Sequence, residues 1–166
     1  MGMVHPMTVI PENCLDTLQD TRLIRLLDYW RIKCDGREMP LLTDIEPLDF
    51  RFILGYVTLV DVELAPRRYF FRLDGSVLAS LSGMDYTGKY LDQLGMPEYC
   101  AFVAATYDRV VDAYAPYAYR KRGAFDKASF SEETAIMPLG VDKRVQRLMV
   151  SVIPSGRPGV DSKIVI

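Results

Sequence analysis

YVTLVDVELAPRRYFFRLDGSVLASLSGMDYTGKYLDQL, residues 56–94, decides the architecture. It opens with two runs rich in Val, Thr, Tyr and Phe, VTLVDVE and RRYFFRL, parted by Ala65-Pro66 and closed by Asp74-Gly75. Such runs, punctuated by Pro and Asp-Gly, read as neighbouring antiparallel strands. Small residues and glycines follow, so a hairpin gives way to short helices. In the second strand Tyr69, Phe71 and Leu73 share one face, and Arg68, Phe70 and Arg72 the other, because strand side chains alternate. The first face is expected to be buried and the second wet.

Downstream, Val77-Leu78-Ala79 with Leu81 suggests one or two helical turns, and Tyr90, Leu91 and Leu94 another short helix. Val103, Tyr107, Val110 and Tyr114 recur at helical spacing, predicting a long helix over Glu98–Tyr114 that Ala115-Pro116 ends. Three strands follow, Tyr117–Arg122, Ala128–Met137 and Val145–Ile153, with turns at Gly123/Asp126-Lys127 and Gly140/Asp142. Pro138 is expected to cap its strand, since a proline within a central strand removes a ladder donor. A hairpin, then helices, then a three-strand meander specify an α+β fold: one five-stranded antiparallel sheet with helices on one face.

Upstream, a helix is predicted over Thr17–Lys33, with Thr17 and Asp20 resembling a capping box and Asp35-Gly36 stopping it. Leu23, Leu26, Leu27 and Trp30 form its apolar stripe. That stripe has two readings: packing on its own domain, or pairing of Leu23, Leu27 and Trp30 with a second copy across a two-fold axis. Pro47–Leu54 reads as a short helix, with Pro47 at a first helical position and Gly55 at the end. The chain thus divides into a flexible arm 1–16, a helical extension 17–55, a core 56–154 and a tail 155–166.

Composition narrows the chemistry. The 166 residues are 49% hydrophobic and 25% charged, ordinary for a soluble globular domain with a real core. A net charge of −2 gives no global pull toward nucleic acid or anionic membrane. No apolar run is long enough to span a bilayer, and the N-terminus lacks the form of a secretory signal. Cys14, Cys34 and Cys100 fit reduced thiols in a cytoplasmic protein. The one histidine is His5, which argues against a metal centre, haem ligation and any histidine-dependent triad.

Several motifs look more chemical than they are. Gly83-Met84-Asp85-Tyr86-Thr87-Gly88-Lys89-Tyr90 nearly matches a phosphate-binding loop, but Tyr90 stands where a magnesium-binding hydroxyl belongs. Arg120-Lys121-Arg122 beside Tyr117, Tyr119 and Phe125 resembles a nucleic-acid surface, but at a net charge of −2 a solvated strand face is the preferred account and no nucleic-acid partner is expected. Asp61 with Glu63, and Glu132 with Glu133, are paired carboxylates without an evident cleft. Ser76 has no Gly-x-Ser-x-Gly context and no histidine partner. No enzymatic activity is expected.

At the residue level, RLLDYWRIKCDGREMPLLTDIEPLDF, YVTLVDVE, YFFRLDGS, GMDYTGKYLDQL and ETAIMPLGVDKRVQRLMVSVIP together resemble a PAS-like family of bacterial, mainly alphaproteobacterial, proteins of unassigned function. The resemblance covers roughly residues 22–154 and implies a sensory or protein-interaction module, often dimeric and sometimes holding a small ligand between sheet and helices. Haem-binding PAS proteins use a histidine in the long helix, and Glu98–Tyr114 has none. Flavin photosensors carry an Asn-Cys-Arg-Phe-Leu-Gln stretch; Cys100, in PEYCAFVAA, lacks that context. No cofactor is therefore expected, although an unidentified small ligand remains open.

Two functions stand as expectations: a regulatory module acting through homodimerisation and an unknown downstream protein, or a small-molecule receptor. The ligand-pocket candidates are Tyr69, Phe71, Tyr107 and Tyr119, the aromatics on the inner face. Ordinary core packing is the competing account of these four. A phenol buried without a partner costs about 1–3 kcal/mol, which a ligand or water would offset.

Overall fold

The computed structural model describes residues 10–125 and 128–155, side chains excepted at 123–130 and 155. Residues 1–9 of the expected arm, His5 among them, lie outside the described residues, as do the Asp126-Lys127 turn and the tail from 156 onward. Among the described residues the main elements are α1 (Thr21–Cys34), β1 (Val57–Glu63), β2 (Arg68–Leu73), α2 (Ser76–Ser82), α3 (Pro97–Ala113), β3 (Tyr117–Phe125), β4 (Ala128–Val141) and β5 (Arg144–Ser155). Short 3-10 turns fill the connections. The strands form one antiparallel sheet in the order β2-β1-β5-β4-β3. This is the expected α+β, five-stranded PAS architecture, with β5 returning to lie beside β1.

Strand alternation divides the helices between two faces. Thr134 pairs with Tyr119 and Val152, and Ile136 with Tyr117 and Val150, so these side chains share a face. That face meets α2 and α3. Glu133, Ala135 and Met137 point the other way and are also buried, together with Ala118, Met149 and Ser151. Their cover is the N-terminal extension: α1 packs on β4, and the Glu133 carboxylate reaches its N-terminal end. The core helices keep to one face, as expected, and the extension closes the other.

That second contact corrects three expectations. Leu23, Leu27 and Trp30 are 0%, 3% and 5% exposed, spent on their own sheet and not on a face offered to a second copy. Hydrophobic burial rewards covering the nearest apolar face, and the sheet supplies one within the chain. The N-cap is Asp20, not Thr17; its carboxylate accepts from the amides of Arg22 (2.8 Å) and Leu23 (3.3 Å). Residues 10–17 are docked rather than loose. Tyr117 Oη donates to the Pro11 carbonyl at 2.6 Å, and the Cys14 amide donates to the Ala118 carbonyl at 2.7 Å.

Pro138 lies inside β4, opposite Leu148, instead of ending the strand. The physical reason is that β3 reaches only to Ile136 along β4, so beyond it β4 has a free edge. Trp30 Nε1 donates to the Pro138 carbonyl at 2.8 Å, so that residue's polar groups face the free edge and no ladder donor is lost. Two residues on, the Gly140 amide donates to the Pro40 carbonyl at 2.9 Å. The connector thereby seals an edge that would otherwise invite a foreign strand. Leu73, expected inside with Tyr69 and Phe71, is 41% exposed, because the register shifts at Leu59/Val60 and β2 ends there.

Glu133 is 8% exposed and its carboxylate accepts from the amides of Gln19 (2.9 Å) and Asp20 (2.8 Å) and from Arg120 Nε (2.9 Å). Arg120 Nη2 in turn donates to the Thr17 carbonyl. Glu133→Ala removes the acceptor for two amides and strands the guanidinium. It is expected to lower unfolding free energy by about 3 kcal/mol, measured by urea denaturation, with Glu133→Gln intermediate.

A hydroxyl-lined cavity between the sheet and the long helix

Why α3 runs along the sheet is plain from its sequence: Val103, Tyr107, Val110 and Val111 are buried and recur at helical spacing. Pro97 starts the helix, and Tyr114, at φ 54°, ends it in the left-handed region. α2 begins at Ser76 because Gly75 lets two backbones touch. A Cβ there would stand 2.5 Å from the Gly55 carbonyl oxygen and 2.9 Å from that of Val57.

Between these helices and the sheet is a cavity of about 430 Å³, within the range of small-molecule sites. The sheet contributes Thr58, Phe71, Tyr119, Glu132, Thr134, Val150 and Val152; α2 contributes Leu78 and Leu81; α3 contributes Tyr99, Phe102, Val103 and Tyr107. Asp74 and Tyr86, from the segments flanking α2, complete the wall, with Lys121 at its rim. Of the four aromatics expected at a ligand site, Phe71, Tyr107 and Tyr119 are on this lining. Tyr69 is not. Its ring meets Tyr107 edge-on at 5.1 Å, while its hydroxyl donates to Asp108 at 2.5 Å and borders a separate surface hollow with Arg67, Arg68 and Asp92.

The polar groups divide sharply by partner. Asp74 is 8% exposed; Oδ1 accepts from Thr58 Oγ1 at 2.9 Å and Oδ2 from the Tyr86 amide at 3.2 Å. Tyr119 stands beside Thr134, its cross-strand neighbour, and burial pushes its phenol up to about 12. Tyr107, 5% exposed, is driven well above the ordinary phenol range, chiefly by burial. Its hydroxyl, like those of Tyr86 and Tyr99, has no hydrogen-bond partner among the described residues, and neither its oxygen nor that of Tyr86 is fully buried. Burial, and then the Asp74 charge, raise Tyr86 as well. These phenols remain neutral donors over the physiological range.

Sequence reasoning missed Asp74, Thr58, Tyr86, Tyr99, Phe102 and Thr134. Tyr99 was within reach, being one turn before Val103 on the Val103–Tyr107 stripe. Thr134 shares the parity of Ile136. Asp74 and Tyr86 had no signal: each sits where regular alternation has ended, and only the fold brings the two segments together.

The suspected chemical motifs come apart. The Gly88 amide donates to the Phe71 carbonyl, and the Lys89 amide to the Tyr86 carbonyl, so these amides of the phosphate-loop look-alike are already used. No α-helix springs directly from that loop. Gly83 and Gly88 instead supply turn conformations at φ 75° and 82°. Asp61 is clamped by Arg147 (2.6 Å) and Arg72 (2.7 Å), and Glu63 accepts from Tyr90 Oη at 2.8 Å. Glu132 and Glu133 point to opposite faces. Arg120 serves Glu133, and the Lys121 ammonium lies 4.7 Å from the Phe102 ring centroid, so the basic triplet is also divided. The Phe125 side chain lies outside the described residues.

Tyr119 yields a pH prediction. Its folded pKa exceeds the unfolded value near 10, so its contribution is complete below pH 10 and is lost as pH rises toward about 12. The loss is about 2–3 kcal/mol by the conversion of two pKa units. Urea melts across that window should show a steeper alkaline decline for the wild type than for Tyr119→Phe.

No helix among the described residues is long and apolar enough to cross a membrane. No curated protein and no solved structure matches the chain. The family model for the PAS domain does match, over residues 18–152, which takes in α1, the sheet except the last three residues of β5, and all of the cavity lining but Pro154. With that match over most of its length, the chain belongs to the PAS domain family of sensory and regulatory modules.

Proposed function

We propose that the chain is a small-molecule receptor whose ligand occupies the cavity between the sheet and α3. One observation carries this reading: a cavity of about 430 Å³ whose wall combines apolar side chains with the hydroxyls of Tyr86, Tyr99 and Tyr107 and the carboxylate of the buried Asp74. Ordinary core packing would have filled the volume with side chains. A ligand that bonds Tyr107 favours the conformation in which α3 lies against the sheet, and so shifts the population of whatever arrangement a partner reads.

The test is native mass spectrometry on protein purified from its own cells. A non-covalent adduct is expected on the wild type and not on Val152→Trp, which fills the cavity from β5. Repeated bare masses for the wild type, with no thermal shift across a small-molecule library, overturn the reading.

Output by association, with a second copy or a separate downstream protein, belongs to the same proposal. Its support is the side of α1 turned from the sheet, where Ile24 and Ile32 are 39% and 75% exposed. Sedimentation velocity should show Ile32→Asp at a lower mass than the wild type; equal masses remove α1 as the contact between copies.

A further inference from the structure

As a ligand site, the reading on which this inference rests, the cavity has a charge preference as well as a shape. Asp74 is more than nine-tenths buried, and no Lys or Arg pairs with it among the described residues. Its two hydrogen bonds, from Thr58 and the Tyr86 amide, leave each carboxylate oxygen a further lone pair. The ion pairs described in this chain lie on more exposed side chains or, like that of Glu133, hold two elements together. Asp74 is a buried carboxylate without a cationic partner among the described residues.

Around it the walls are aromatic. Phe71 and Tyr86 have ring centroids 5.5 Å apart, and Tyr107 stands across from them on α3. Glu132 adds a second carboxylate to the lining. The single cationic residue of the described lining, Lys121, is exposed and turned over the Phe102 ring at the rim. Two carboxylates against one peripheral ammonium repel an anionic ligand. A neutral ligand leaves the buried Asp74 carboxylate without a charged partner. An ammonium answers both, because the same rings that line the wall attract a cation to their faces.

We propose that the cavity selects an organic cation, an amine with an apolar body, whose ammonium group meets Asp74 and is flanked by Phe71, Tyr86 and Tyr107. The Tyr107 hydroxyl, one of several wall groups without a hydrogen-bond partner among the described residues, accepts one ammonium hydrogen. The apolar body extends toward Leu78 and Val152.

The test is a charge series on the full chain at neutral pH, read by calorimetry and by amide chemical shifts: benzylamine and 2-phenylethylamine against benzyl alcohol and phenylacetate. The amines are expected to bind about tenfold or more tighter than the neutral and anionic probes, as charged hydrogen bonds outweigh neutral ones. Asp74→Asn, with its circular dichroism unchanged, is expected to remove that preference. Should Asp74→Asn fail to fold, Tyr86→Leu serves instead: it keeps the amide bond to Asp74 and is expected to weaken the amines more than benzyl alcohol. Equal or tighter binding of benzyl alcohol or phenylacetate overturns the cation assignment and leaves the receptor reading standing. If no probe of any charge binds, the cation assignment falls, and mass spectrometry then decides separately on the receptor.

Discussion

A single buried carboxylate couples the two halves of this molecule. Glu133 sits mid-strand in β4, takes hydrogen bonds from two amides just before α1 and holds the Arg120 guanidinium, which itself reaches back to Thr17. A bare carboxylate at 8% exposure would be strongly unfavourable, so the sheet side chain and the helix entry must stay together. That contact fixes where α1 begins, and the stripe Leu23, Leu26, Leu27, Trp30 then falls on the far face of the sheet. With that face covered, the middle of β4 (133–139) and of β5 (148–151) is buried on both sides. The cavity on the α3 side is therefore backed by a sheet that cannot easily flex toward water.

The segments that build the cavity are also those that close the sheet. Asp74 receives the Tyr86 amide, and the adjoining loop then bonds the outer edge of β2 through Gly88 and Lys89. At the opposite edge, residues 10–17 lie along the start of β3. Free strand edges are liabilities in an open sheet. Here the edge of β2 is covered by the same loop that supplies a wall of the binding space, so edge protection and site construction share residues.

Much of the fold was legible because it rests on local periodicity. The hairpin of β1 and β2, the meander and α3 all announce themselves through alternation or helical spacing, and three of the four nominated aromatics reach the cavity for the same reason. What was not legible depends on contacts distant in sequence. Thr17 looked like a cap because the true anchor, Glu133, lies 114 residues from Gln19. Pro138 looked like a terminator because the sequence does not say that β3 stops short along β4. Asp74 looked like a turn residue because its carboxylate acquires meaning only once Thr58 and Tyr86 arrive beside it. The stripe of α1 was readable as apolar, but periodicity does not say whose apolar surface will meet it.

The indole of Trp30 is the only one in the sequence, and its N–H is held by the Pro138 carbonyl at the sheet's margin. Light emitted by this one fluorophore consequently carries information about a single event, the seating of α1. Its colour and quenching follow whether that helix is on or off the sheet. The molecule thus has a native optical gauge of its rear layer, placed on the face opposite the binding space.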